Sequence, residues 1–206
     1  MSALPVYETF TSFQGEGVHL GRKAHFIRLF GCPVHCPWCD SAGTWHPDHV
    51  PASIDRIAPA QLAEAAAASR PAFVVITGGE PAIHDLTALT TALRERSLRA
   101  HLETSGAFRI RGAFDWVTVS PKRWKPPVAE AVTRADEFKL IIDEPGEVNR
   151  WRAALGLDVA DVPVWLHPEW SRRDEPTIRA AILDAVSRLG DPYRAGWQVH
   201  NEFGVR

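Results

Sequence analysis

The three cysteines of this chain, Cys32, Cys36 and Cys39, form a C-x3-C-x2-C cluster within GCPVHCPWCDSAGTW. An odd, tightly spaced count argues against a disulfide framework and for metal ligands kept in a reducing compartment. Thiolates serve iron-sulfur clusters and zinc alike, so ligand type leaves both open. Three protein ligands on a four-iron cluster would leave one iron open to a small chelating molecule. The zinc alternative is a Cys3His site completed by His35 or His46, although such sites mostly come as paired knuckles and no second cysteine pair exists here.

Other residues with chemical potential stand where apolar runs stop. FVVITGGEP carries a buried β pattern into Thr77-Gly78-Gly79-Glu80-Pro81, where two glycines let the backbone approach a ligand. Ser120-Pro121-Lys122 and His167-Pro168-Glu169 close two later runs, and each also reads as an ordinary proline exit from a strand. A cysteine loop followed by a glycine turn at the next strand end resembles the radical S-adenosylmethionine superfamily. That resemblance implies one 4Fe-4S cluster on the three cysteines, with S-adenosylmethionine chelating the open iron through its amino and carboxylate groups. It implies also that Trp38 packs beside the adenine and that the glycine turn receives the methionine amino group.

These residues need elements to position them. Short β-rich runs at Ala24–Phe30, Phe73–Thr77, Ala100–Thr104, Trp116–Ser120, Glu137–Ile142 and Pro163–His167 predict six strands. Helical stripes recur at Leu86, Leu89 and Leu93, and at Ile178, Ala181, Ile182, Ala185 and Leu189; residues 58–69 read as an alanine-rich helix. Alternating strands and helices imply an α/β fold with a parallel sheet. A complete eight-unit barrel takes about 250 residues. The expectation for 206 residues is therefore a single domain built as an incomplete β/α barrel of about six parallel strands with reduced helices, its pocket at the strands' C-terminal ends.

Composition excludes several classes. A formal charge of −2 lacks the basic excess of a protein that grips phosphate backbones, so no nucleic acid is expected as a direct ligand. The opening MSALPVYETF has no charged segment followed by an apolar run, and no later stretch reaches about 18 apolar residues. No membrane is expected, and a cytoplasmic location is.

The stretch FTSFQGEGVHLGRKAHFIRLFGCPVHCPWCDSAGTW resembles the 7-carboxy-7-deazaguanine synthases, and the match continues through ITGGEP, ETSG, SPK and a closing Q-x-H-x-x-x-G. The resemblance implies conversion of 6-carboxy-5,6,7,8-tetrahydropterin to 7-carboxy-7-deazaguanine with loss of ammonia, in queuosine-type 7-deazapurine biosynthesis. It implies Mg2+ as a further cofactor, a flavodoxin- or ferredoxin-type electron donor and a homodimer. Carried over residue by residue, it assigns Trp38, Asp40, Gly79, Ser120, Pro121, Lys122, His167, Pro168, Glu169 and Trp170 to the S-adenosylmethionine site. Phe13, Gln14, Gly15, Glu16, Arg28, Thr77, Glu103, His200 and Arg206 would surround the pterin, with Ser41 on magnesium and the tail, residues 191–206, closing over the substrate. Ser41 replaces the family's usual threonine, and His167 its usual glutamine.

The side-chain chemistry agrees with those roles. A pterin presents a guanine-like edge whose N–H donors want acceptors, which Gln14, Glu16 and Glu103 can supply. A substrate carboxylate wants a planar cation, which Arg28 provides if it is not spent in a surface ion pair. A hydroxyl at Ser41 beside Asp40 suits magnesium, an ion that prefers oxygen ligands. One alternative is a glycyl-radical activating enzyme, which would share the cysteine loop but leaves QGEG and the Q-x-H ending unexplained, and another is a non-catalytic zinc-binding module.

Overall fold

The computed structural model describes residues 3–157 and 161–205. Nine strands form one sheet: β1 (Leu4–Phe13), β2 (Lys23–Leu29), β3 (Asp55–Ile57), β4 (Phe73–Gly78), β5 (Ala100–Thr104), β6 (Trp116–Val119), β7 (Glu137–Ile142), β8 (Val164–Pro168) and β9 (Tyr193–Ala195). Their spatial order is β3-β1-β2-β4-β5-β6-β7-β8-β9. The six strands expected from sequence are β2 and β4 to β8, contiguous and parallel, with β9 continuing the parallel run and β1 and β3 adding an antiparallel flank. Among the described residues, six α-helices accompany them: α1 (Pro59–Ala68), α2 (Thr87–Glu95), α3 (Ala129–Thr133), α4 (Glu147–Leu155), α5 (Pro176–Leu189) and α6 (Val199–Glu202). They range from four residues in α6 to fourteen in α5, and the segment between β5 and β6 is non-helical. No helix among the described residues is long and apolar enough to cross a membrane.

The period-two alternation of each strand divides the sheet into two unlike faces. One face carries Ile27, Leu29, Val74, Ile76, Leu102, Val117, Leu140 and Leu166, which pack in the main core with Leu62 of α1, Leu89 and Leu93 of α2, Trp151 of α4 and Ile178 and Ile182 of α5. β4, buried on both faces, reads as a nearly unbroken apolar run. The other face has an apolar floor of Ala24, Phe26, Phe73 and Val75, with Phe10 packed on it and the Phe10 and Phe26 rings stacked at 4.8 Å. His101 lies parallel to Phe73 at 4.1 Å, and His19, from the loop after β1, rests on His101 and Trp116 at 4.7 Å each. Burial depresses the His101 pKa to about 3, so this aromatic floor is uncharged at neutral pH.

A bulge at Tyr7 makes β1 serve both faces. The register shifts between Val6, opposite Leu29, and Glu8, opposite Arg28. Val6 therefore joins the main core, whereas Glu8 and Phe10 turn to the other face. The bulge thus brings a carboxylate to Arg28.

Candidate active site

Above the aromatic floor the same face becomes polar and opens into a cavity at the C-terminal ends of the parallel strands. Phe13, Gln14, Gly15, Glu16, Arg28, Cys32, Cys36, Trp38, Cys39, Asp40, Ser41, Thr77, Gly79, Glu103, Ser120, Lys122, Pro168, Glu169, Trp170 and His200 all line it. Of the remaining residues expected there, Pro121 lies off the lining between Ser120 and Lys122, and Arg206 lies outside the described residues. His167 does not line the cavity either. Its ring is turned under the tail against Gly196, leaving Pro168 to Trp170 to face the opening.

The cysteine loop is tied down by backbone and indole contacts more than by regular structure. Gly31 donates to the Thr44 carbonyl at 3.0 Å, Glu80 donates to Gly31 at 2.9 Å, and the Trp124 indole donates to the Val34 carbonyl at 2.7 Å. Trp38 meets Trp124 edge to face at 5.2 Å. Gly79 is required here for packing: a Cβ would run into the Gly31 carbonyl and the Cys32 side chain, so the glycine turn and the cysteine loop interlock. Burial pushes the Cys36 thiol up to about 11, against the opposing pull of Lys122, and raises Cys32 too, so loading a metal must release protons.

The donor set is compatible with the cluster that the resemblance implies. Among the described residues, no three His, Cys, Asp or Glu side chains converge closely enough to hold one metal ion. Both imidazoles that a zinc site would recruit lie on Trp45, His35 stacked at 4.4 Å and His46 edge-on at 5.2 Å. Cys32, Cys36 and Cys39 all line one cavity, and an all-thiolate donor set suits an iron-sulfur cluster.

On the far wall, Glu80 is a buried anchor that accepts from the backbones of Ala82 and Ser105 and from Thr104 Oγ1 at 2.5 Å, as well as from the Ser105 hydroxyl. Lys122 Nζ donates to the Ser120 carbonyl at 2.5 Å and to Ser120 Oγ at 2.8 Å, and its burial lowers its pKa. Gln14 Nε2 donates to Glu103 Oε1 at 2.9 Å, and Thr77 Oγ1 donates to Glu103 Oε2 at 3.2 Å. Arg28 is shared: its Nε reaches Glu8 at 2.9 Å and its Nη1 reaches Ser41 Oγ at 2.7 Å, while Ser41 donates to Asp40 Oδ1 at 2.9 Å. The hydroxyl and the guanidinium that the resemblance assigns to magnesium and to the substrate carboxylate are therefore already in contact.

Three residues that sequence reasoning passed over organise this wall. Lys139 lines the cavity and is ion-paired with Glu16. Burial alone would raise the Glu16 pKa, but the Lys139 charge and hydrogen bond overcome it and hold the carboxyl at about 2. Glu137 accepts from the Val18 backbone at 3.0 Å, Thr118 Oγ1 at 2.8 Å and Trp165 Nε1 at 2.9 Å, which fastens the loop carrying Gln14 and Glu16. Glu8 steers Arg28. A signal existed for two of them, since Glu137 and Lys139 are charged positions at alternate sites of the apolar run EFKLII.

The tail reaches the site through more structure than its sequence predicts. Beyond α5 it forms β9 and the short α6. Gln198 is buried, Val199 donates to the Gly15 carbonyl at 3.1 Å, and the His200 ring lies on Gly15 where any Cβ would collide with it. Phe203 is 71% exposed and touches Phe13 only edge-on.

No family model matches the chain. It is 42% identical over 203 residues to the 7-carboxy-7-deazaguanine synthase of Synechocystis, covering 98% of this chain and 93% of the relative. It is 33% identical over 224 residues to the 7-carboxy-7-deazaguanine synthase of Escherichia coli K12, covering 98% of each. The crystal structure of QueE from Escherichia coli superposes with a TM-score of 0.77 at 33% identity, covering 96% of this chain and 94% of that one.

Proposed function

Because this chain belongs to the 7-carboxy-7-deazaguanine synthase family, we propose that it converts 6-carboxy-5,6,7,8-tetrahydropterin to 7-carboxy-7-deazaguanine with loss of ammonia, as a radical S-adenosylmethionine enzyme. The observation that carries this reading is a single cavity joining the Cys32, Cys36 and Cys39 thiols to a wall of Gln14, Glu16, Arg28 and Glu103. Cys32, Cys36 and Cys39 would hold a 4Fe-4S cluster, which when bound supplies the electron that cleaves S-adenosylmethionine and starts radical ring contraction. Trp38, Gly79, Ser120, Lys122 and Glu169 to Trp170 hold the cosubstrate on the cluster side. Glu16 and Glu103 accept from the N–H donors of the pterin, and Glu16 does so as a carboxylate because Lys139 keeps it ionised. Arg28 turns its guanidinium to the substrate carboxylate, with Ser41 and Asp40 beside it to bind Mg2+. His200 closes the site over Gly15 and keeps water from the reacting ring.

We further infer that the open sheet curves into a partial barrel, since side chains from β1, β2, β4 to β8 and the tail all reach one cavity. The reading also takes the chain as one cytoplasmic domain that forms a homodimer and accepts electrons from a flavodoxin- or ferredoxin-type donor. The test is anaerobic incubation of iron-reconstituted protein with carboxytetrahydropterin, S-adenosylmethionine, magnesium and dithionite. Mass detection of 7-carboxy-7-deazaguanine is expected. Cluster-loaded protein that cleaves S-adenosylmethionine yet leaves the pterin unchanged would refute the substrate assignment, and colourless protein retaining zinc would refute the cluster.

A further inference from the structure

The indole nitrogen of Trp45 lies 3.3 Å from Cys39 Sγ and donates to it. We propose that this N–H···S bond raises the reduction potential of the cluster, an inference that rests on Cys39 being a cluster ligand. Trp45 is built into place from several directions. Its ring is stacked by His35 at 4.4 Å and 18° and met edge-on by His46 at 5.2 Å, and its backbone donates to Ala42 at 3.1 Å. The turn at Ala42–Thr44 that returns the chain toward Cys39 is pinned by Thr44, fully buried, whose hydroxyl donates to the Ser41 carbonyl at 2.7 Å. The indole is partly exposed, so its N–H could have been left to water; the fold aims it at sulfur instead.

A thiolate sulfur bound to iron keeps lone pairs and partial negative charge. Adding an electron to the cluster increases that charge, and a fixed N–H dipole stabilises the more negative state, which raises the potential. The neighbouring Trp124 spends its N–H on the Val34 carbonyl and so holds the loop without touching a thiol. Trp45 thus acts as a positioning and tuning residue: it makes the cluster reducible by a weaker donor than the bare cysteine loop would need.

The test compares wild type with W45F, which keeps a ring between the histidines and removes the donor. Iron and sulfide per chain are measured first: wild type without four irons ends the cluster reading itself, whatever Trp45 does. With both proteins loaded, an EPR-monitored redox titration is expected to show the reduced-to-oxidised ratio of W45F falling at least threefold at the wild-type midpoint. For a one-electron couple at about 59 mV per tenfold, that is a downward shift of about 28 mV. Loaded W45F with an unchanged midpoint overturns the proposal. Should W45F fail to retain its cluster, wild type grown with indole-15N tryptophan decides alone: a 15N coupling to the reduced cluster is expected, and none overturns the proposal.

Discussion

Replacing Lys139 with methionine keeps its apolar stem and removes the charge that Glu16 depends on. Both side chains are mostly buried, at 17% and 8% exposure, so solvent screens the pair weakly. The Glu16 carboxyl is lowered from 4.5 to about 2, a shift that at about 1.36 kcal/mol per unit corresponds to about 3 kcal/mol in excess of its burial cost, Lys139 being the largest favourable contributor and His167 and His200 adding to it. Breaking a buried pair from one side costs about 3 to 5 kcal/mol, which agrees. K139M should therefore lose about 3 kcal/mol at pH 7.5, because Glu16 keeps its desolvation and loses its cation. E16Q/K139M should regain most of the stability but not the turnover, since the buried charge is gone while the acceptor proposed for the pterin is altered. The sign with pH follows from the same shift. In wild type a carboxyl with a depressed pKa contributes stability above pH 4.5 and loses it as pH falls toward 2. In K139M the Glu16 pKa rises, so protonation relieves the buried charge and the gap between the two proteins narrows as pH falls from 7.5 to 5. Urea unfolding followed by tryptophan fluorescence at those two pH values measures both effects. A K139M penalty under about 0.5 kcal/mol at pH 7.5, within the range of ordinary surface changes, or a gap that widens at pH 5, would refute the reasoning.

S41A should raise the magnesium concentration needed for half-maximal turnover, and S41T should leave it equal or lower it, read from rates against magnesium. R28A should lower kcat/KM for the pterin at least tenfold with S-adenosylmethionine binding retained, and R28K should recover only part, because lysine cannot make the planar two-point contact. G15A should drive the His200 ring off the loop and cut turnover while iron content stays at the wild-type value, which separates closure of the substrate wall from assembly of the cluster.

The central strands were legible because their core-facing positions recur as short β-rich runs, and observed boundaries differ from the expected ones by about a residue. β1 was not legible, because the Tyr7 bulge reverses its facing halfway and Glu8 interrupts the pattern. β3 and β9 have three residues each, too few to show a period, and α4 hides a narrow stripe of Val148, Trp151 and Leu155 among charged residues. The motif residues of the cavity were readable as spacing plus resemblance. Lys139 and Glu137 showed only as charges within an apolar run; their roles were not readable, since they act through Glu16 and Val18, more than a hundred positions away in the chain, and only the folded sheet shows that reach.

The division of the sheet into an apolar face and a reactive one has a consequence for how the gene tolerates change. Along β7, Phe138, Leu140 and Ile142 belong to the core, whereas Glu137, Lys139 and Ile141 look toward the cavity side. Adjacent codons in these strands therefore answer to different selection. A saturation library scored twice, once for cellular abundance and once for product, should give two combs of sensitivity along β4 to β8, offset from each other by one residue. Lys139 and Glu137, buried yet polar, should appear in both.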